Sequence, residues 1–479
     1  MKEHRKAALI LLSGLAVLTL LACLPYAPQG PFDARTYARL AGMRVEQHAW
    51  TAFIEPLFAP MRIVSGAPNF LVAALSLLLW VFVGAAVWRI VKDLRVREKK
   101  SGLRVAFAGI LSALIATSSL LLLLFLFIIA RVPGWRLVVN NPNEIVADLH
   151  SHTVISHDGL MSLKTNIDLH ESCGYDVEAI TEHYILTDHK PTGLNPSEAR
   201  RLPGILSGVE VHTGRRAMAI AICRNTDVNL GQTGDTTSFV KRVHSDCEGV
   251  VLVVTLKNLK ASDVAKLAED GVDGFEIANC GHPGLPPALR RQVLATCRSH
   301  GLVLVADTDW HGWTGLTRTW NVIKVPGGAA LSPSRRADAV LEKLREHDSA
   351  DIIPVVAEYM GEPSTARAVF APFVETVRYA MELSPGRVIS WWVWVWVVFA
   401  LWIAIEKKGF RAGDILLALL VGSTSVCLIA AGISETMQGM GTTAFGFHVG
   451  LITIGVGVIA LGISTFRGIG FLKKSDRFL

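Results

Sequence analysis

The chain has 479 residues, 51% of them apolar, and a formal charge of +6. That length leaves room for more than one domain, and that apolarity sets a membrane protein against a single soluble core. Net basicity would suggest a nucleic-acid binder, but residues 144 to 385 hold 23 Lys and Arg against 31 Asp and Glu. The polar region is therefore acidic, and nucleic-acid binding is set aside.

In chain order, apolar runs fall at 7–24, 69–91, 105–130, 389–405, 415–433 and 445–466. Most are close to the about 20 residues that cross a bilayer, so six spans are expected, three before and three after a large hydrophilic insertion. Lys2, Arg5 and Lys6, the basic stretch 92–104, Lys407, Lys408 and Arg411, and Lys473, Lys474 and Arg477 flank the runs on one side. By the positive-inside rule these ends are cytoplasmic and the insertion is periplasmic or extracellular. Leu20-Leu-Ala-Cys23 also fits a lipoprotein signal, though Leu21 suits it poorly; an uncleaved anchor is the preferred reading.

The loop 25–68 is broken by six prolines, and its role is not readable. Trp135, with Arg131 and Arg136, reads as an interfacial exit from the third span. From residue 144, strand-like runs (177–180, 217–222, 250–255, 274–277, 302–306, 321–325) alternate with helical stretches (262–269, 287–300, 334–347), which predicts a mainly parallel α/β sheet. Residues 366–383 place Val369, Phe370, Phe373, Val377 and Met381 at helical spacing, suiting a helix on the outer leaflet or one packed on the domain. Of seven cysteines, Cys173, Cys223, Cys247, Cys280 and Cys297 lie in the insertion, where one disulfide could form.

Chemistry concentrates in four short segments. Asp148-Leu-His150-Ser-His152 is followed by Asp158, and two histidines two apart on a strand end face the same way and can grip one cation. Thr181-Glu182-His183, Gly208-Val-Glu210 and Thr308-Asp309-Trp-His311 follow, three of the four segments after apolar runs. In this order they resemble the polymerase and histidinol phosphatase (PHP) superfamily of metal-dependent phosphoesterases, over roughly residues 144 to 360. The resemblance implies a distorted seven-stranded (β/α) barrel carrying up to three metals. It assigns His150, His152, Glu210 and Asp309 to one ion, and Asp158, His183 and His311 to a second, the last three being the catalytic set.

Two departures from the family bear on a third ion. Thr255 or Leu256 stands where a ligand His is expected, and Arg216-Ala217-Met218 stands where another is. Two divalent ions (Zn, Mn or Fe) are therefore expected, with His212 and His282 as candidate substitutes in any rebuilt third site. Glu182 would orient His183, Glu276 could support the ligands, Arg215 and Arg216 could clamp phosphate, and His157 could donate a proton. Each has a plainer reading as a solvated or structural residue, and Asp188-His189 ranks below His183.

The function these residues point to is a membrane-anchored hydrolase of a phosphorylated small-molecule or envelope-derived substrate. A catalytically impaired metal-binding sensor or assembly module is the alternative. Transport would need charges within the spans, where almost none lie. An amidohydrolase would need a carbamylated Lys or further His on the middle strands, which is not evident.

Overall fold

The computed structural model describes residues 2–407 except 25, 27–29, 68–69, 96–101, 130–131, 190–201, 214–216, 231–234, 256–258, 282–283, 314–317, 359 and 361–364, with scattered positions beyond 407. The chain opens with α1 (Lys2–Ala22), β1 (Phe32–Asp33), β2 (Met43–Gln47), α2 (Glu55–Ser65), α3 (Phe70–Arg95), α4 (Gly102–Ile129) and β3 (Trp135–Val139). The α/β region runs through β4 (Glu144–Ser151), α5 (Leu163–Ser172), β5 (Val177–His183), β6 (Gly204–His212), β7 (Met218–Cys223), α6 (Thr236–Asp246), β8 (Val250–Val254), α7 (Ala261–Glu269) and β9 (Gly274–Asn279). It closes with α8 (Pro287–His300), β10 (Val303–Asp307), β11 (Thr319–Lys324), α9 (Pro333–Arg345) and β12 (Ile352–Val356), before α10 (Thr365–Val369), α11 (Ala371–Met381) and α12 (Pro385–Lys407).

Ten strands form one sheet in the order β1-β12-β11-β4-β5-β6-β7-β8-β9-β10. It differs from the expected seven-stranded, mainly parallel barrel. Residues 213–217 are too short for a parallel crossover, so β7 returns antiparallel to β6. β11, β12 and β1 extend the sheet antiparallel beyond β4. The sheet curls into a half-barrel, bringing β10 back beside β4: Leu149 N donates to Asp307 Oδ1 at 3.0 Å, and Ser151 bridges Trp310 in parallel.

Strict alternation builds two cores from each strand. Ile220, Ile222, Val250, Leu252, Val303 and Val305 pack with Ile145, Ala147 and Leu149 inside the curl, closed by Val340, Leu341 and Leu344 of α9. Ala219, Ala221, Val251, Val253, Phe275 and Ile277 face the other way, under Phe239 and Val243 of α6, Val264 and Leu267 of α7, and Leu289 and Val293 of α8. A disulfide joins Cys223 at the end of β7 to Cys247 after α6, while Cys23, Cys173, Cys280 and Cys297 are in the thiol form.

Among the described residues, three helices are long and apolar enough to cross a membrane: His4–Ala22, Phe70–Leu94 and Pro385–Lys407. The expected run 105–130 lies in α4, and those at 415–433 and 445–466 fall almost wholly outside the described residues. Buried Glu55 of α2 accepts from Arg62 and from Arg387, the latter at the start of α12. Arg387 also donates to Thr51 Oγ1 at 2.7 Å, so a charged knot ties α12 to the rest of the molecule. Trp135, expected at an interfacial exit, sits in β3, paired with Gln47 of β2, with the Arg62 guanidinium 5.8 Å from its ring. α10 and α11 pack on α3, where Trp80 Nε1 donates to Val369 O of α10 at 2.9 Å and the Trp80 ring meets Phe373 of α11.

Candidate metal centre

β4 delivers His150 at its end and His152 just past it, and a register shift between Asp148 and Ser151 turns the chain there. The two Nε2 atoms lie 2.9 Å apart. Glu210, near the end of β6, brings Oε2 to 3.5 Å from His150 Nε2 and 3.4 Å from His152 Nε2. Asp309, two residues past β10, brings Oδ1 to 3.3 and 3.4 Å from the same atoms. Donors held about 2.0–2.1 Å from one tetrahedral ion stand about 3.3–3.4 Å apart, so this quartet has the dimensions of a metal cage.

A second cluster adjoins it. Asp158 Oδ1 lies 3.3 Å from His183 Nε2 and 3.5 Å from His311 Nε2, and the two imidazole nitrogens are 3.4 Å apart. Glu210 Oε2 also reaches His183 Nδ1 at 3.1 Å, linking the clusters. All seven residues named from the sequence therefore converge. Glu210 Oε2 and Asp158 Oδ1 are buried atoms with no hydrogen-bond donor. A buried carboxylate oxygen left so is costly unless a cation takes the donor's place, and the residues fit divalent ions at both points.

The surroundings fix the rings. His150 Nδ1 meets Glu276 Oε1 at 2.7 Å, His152 Nδ1 meets Ser156 Oγ at 3.1 Å, and His311 Nδ1 meets Asp309 O at 2.9 Å, which leaves each Nε2 for a metal. Glu182 does not orient the His183 ring as expected. Its carboxylate accepts from Thr153 and from Ser156, and Ser156 Oγ in turn holds His152 and accepts from His183 N. Asp309 has φ 47° and Tyr184, after His183, φ 60°. Left-handed backbone at such residues costs on the order of 1–3 kcal/mol and persists where packing imposes it. Glycine at 281 is required by the same packing, because a Cβ there would stand 2.6 Å from Asp309 Oδ2.

Charge is distributed to suit ligation. Burial, then the neighbouring His311, pushes His152 down to about 4, so its imidazole is neutral at ordinary pH. Burial opposes ionisation of Glu210 and Asp309, but the imidazoles, His150 foremost, hold both carboxylates low. Burial also opposes ionisation of Asp158, yet the nearby His183 and the charge of His311 bring it to about 2.

Beneath the ligands lies a layer that sequence reasoning missed. Asp148 Oδ1 accepts from Thr308 N at 3.0 Å, its Oδ2 meets His170 Nε2 at 2.8 Å, and Glu178 lies 3.6 Å from His170 Nδ1. Asn166 and His170 are four apart on α5 and share a face, and Asn166 donates to His152 O at 3.1 Å. The available signal was Asp148 and Glu178 interrupting apolar strand runs. Of the other candidates, Glu276 touches His150, and Thr255 Oγ1 donates to Glu276 O at 2.5 Å. His157 is exposed, 3.8 Å from Asp158 Oδ2; His212 is exposed with its ring 6.2 Å from Tyr184; buried His189 stands 3.9 Å from Glu182. Arg215, Arg216, Leu256 and His282 lie outside the described residues.

Asp158, His183, Glu210, Asp309 and His311 line a cavity of about 690 Å³. Ala67, with Phe70, Leu71 and Val72 at the start of α3, Trp313 and Met360 also line it.

No family model matches the chain, and no curated protein does. Three solved structures resemble parts of it. A protein from Bifidobacterium adolescentis, named for an inferred metal-dependent phosphoesterase activity, is 16% identical, with 34% of this chain and 87% of that one covered and a TM-score of 0.29. PsfC from Pseudomonas syringae is 14% identical, covering 50% and 100% with a TM-score of 0.30. An amidohydrolase from Chromobacterium violaceum, with bound sulfate and no metal, is 16% identical, covering 46% and 99% with a TM-score of 0.26. Overlaps this partial leave the chemistry to be argued from the side chains themselves.

Two outcomes follow from this geometry. Elemental analysis of the full-length chain in detergent should find two divalent ions, both diminished in the His150→Ala/His152→Ala double variant and retained in His189→Ala. Full occupancy in the double variant would refute the ligand assignment. The second concerns His170: burial disfavours its charge, but Glu178 and the bond to Asp148 outweigh that and raise it to about 9. A raised folded pKa gives stability present below the unfolded value of about 6.5 and lost as pH climbs through 9, here on the order of 3 kcal/mol. Burial raises Glu178 to about 7, with the same sign in the lower window between its unfolded value and 7. Thermal midpoints should fall between pH 6.5 and 9 in the native chain, and His170→Gln should flatten that fall; an unchanged slope would remove His170 from the account.

Proposed function

We propose that the chain is a membrane-anchored, metal-dependent phosphoesterase of PHP type, with two ions held by the two clusters. The observation that carries this reading is the pair of orphaned oxygens, Glu210 Oε2 and Asp158 Oδ1, each facing imidazole nitrogens at ligand spacing. Divalent ions bound there would lower the pKa of a water and neutralise phosphoryl oxygens. His150 and His152 are fully buried, whereas Glu210, Asp309, Asp158, His183 and His311 line the cavity where substrate would arrive. Water adds to phosphorus, the ester P–O bond breaks, and the alcohol leaves with a proton. Exposed His157, beside Asp158, is placed to deliver that proton. Thr255 spends its hydroxyl on the Glu276 carbonyl and offers nothing to a third ion, which favours two.

Complete ligand sets favour turnover over a sensor that binds metal without reacting. A phosphoester panel on the full-length protein, read with its metal content, tests this. Asp158→Asn should lower kcat about 100-fold or more, since several kcal/mol of charge stabilisation pass through that cluster. Two bound ions with no turnover on any phosphoester would select the sensor instead.

The α/β region is further placed on the periplasmic or extracellular side. Basic segments beside the spans support this, and so does the Cys223–Cys247 disulfide, a bond that persists in oxidising compartments. Reporter fusions at residue 95 and near residue 230 should report opposite compartments, and matching signals would overturn the topology.

A further inference from the structure

The proposed phosphoesterase reading leaves open why the cavity is so large and so apolar. At about 690 Å³ it lies within the roughly 300–1,000 Å³ that buries a drug-sized molecule, far more than a phosphoryl group needs. Its lining includes Phe70, Leu71 and Val72, the opening residues of Phe70–Leu94, a helix long and apolar enough to cross a membrane. Leu71 is 62% exposed, Val72 41% and Trp313 43%, so large apolar side chains are left uncovered within one cavity's reach of the candidate ligands.

A second observation concerns the helix packed beside α3. α11 and the residues before it leave Phe370, Phe373, Val374 and Val377 exposed while burying Glu375 and Tyr379, the pattern of a helix lying in a membrane interface. That helix is fastened to α3 at Trp80, ten residues or about 15 Å beyond Phe70. The apolar zone around α3 therefore extends from the α11 contact toward the cavity, whose own apolar wall continues it.

From this continuity we infer that the site takes an amphiphilic phosphoester from the adjoining leaflet: its phosphoryl group sits at the metal clusters and its hydrocarbon chain lies along Phe70, Leu71 and Val72. Hydrolysis then releases inorganic phosphate or a phosphorylated head on one side and a hydrophobic alcohol on the other, with water supplying both the new P–O bond and the alcohol's proton. Arg318 and Arg378, also on the cavity, are both bound to Glu358, which holds their guanidinium groups in place rather than turning them toward the apolar wall.

The test uses the full-length chain in mixed micelles of one detergent, with glycerol 3-phosphate and 1-oleoyl lysophosphatidic acid as probes that share a phosphoester and differ in the chain. The expected result is a kcat/KM at least tenfold higher for the oleoyl probe, and a collapse of that ratio toward one in Leu71→Glu and in Val72→Glu. Partition into micelles enriches a long-chain substrate whatever the enzyme, so a preference that survives both substitutions overturns the inference. Metal content of each variant checks that it is folded. Equal hydrolysis of the two probes sinks the amphiphile and leaves the phosphoesterase intact. Bound metal with no hydrolysis of either probe, nor of any ester in the panel, sinks both.

Discussion

Glu210 Oε2 is the atom on which the rest of the structure turns. It is buried without a proton donor, and nitrogens of His150, His152 and His183 all lie within 3.5 Å of it. Water is excluded from that point, so negative charge there is tolerable only where positive charge is supplied at close range. The three imidazoles come from β4, its following turn and β5, and the carboxylate from β6; their meeting requires three adjacent parallel strands in fixed register. Register is held by the apolar alternation of the core, because a slip by one residue would turn every ligand to the wrong face.

Beneath this cluster the interior is unusually polar. Asp148, Glu178, Glu276 and Asp307 are all fully buried, and burial raises both Glu276 and Asp307 above the ordinary carboxylate range. Such groups contribute little to stability in themselves. They act by direction: Asp307 accepts from Leu149 N and Asn321 Nδ2, Asp148 from Thr308, and Glu276 from His150 or its proton, so β4, β9, β10 and β11 are stitched at the point where the curled sheet comes round. The ligands are thus mounted on the seam of the half-barrel.

The candidate ligands were legible as a cluster because most stood in short polar interruptions at the ends of apolar runs, and strand periodicity placed His150 and His152 together. Element types were legible for the same reason, and Pro287–His300 matches the sequence expectation at both ends. The strand count was not. Counting seven required knowing which strands pair, and β1 is two residues long, supplied by a proline-broken loop with no strand signal. Asp148 and Glu178 were passed over because an acid within an apolar run gives no hint that His170, on a helix in between, faces both. The part Glu182 plays was misread since one residue's shift along a strand sends its carboxylate to the opposite side from His183, toward Thr153 and Ser156.

β1 carries a consequence for how the molecule is assembled. It lies between the first two apolar helices, yet it covers the edge of β12, pairing Phe32 with Val356 and Asp33 with Val355, and Arg35 reaches Ser349 O and Ile352 O. A fragment cut at residue 144 would present the bare hydrogen-bonding edge of β12 to any passing strand, the situation in which sheets pair between molecules. Synthesis meets the same constraint in time. β1 is made more than 300 residues before the strand it shields, and must wait until residue 356 has been made and folded against it. The α/β region is therefore not a cassette hung between helices; its last strand is finished by the first loop of the chain.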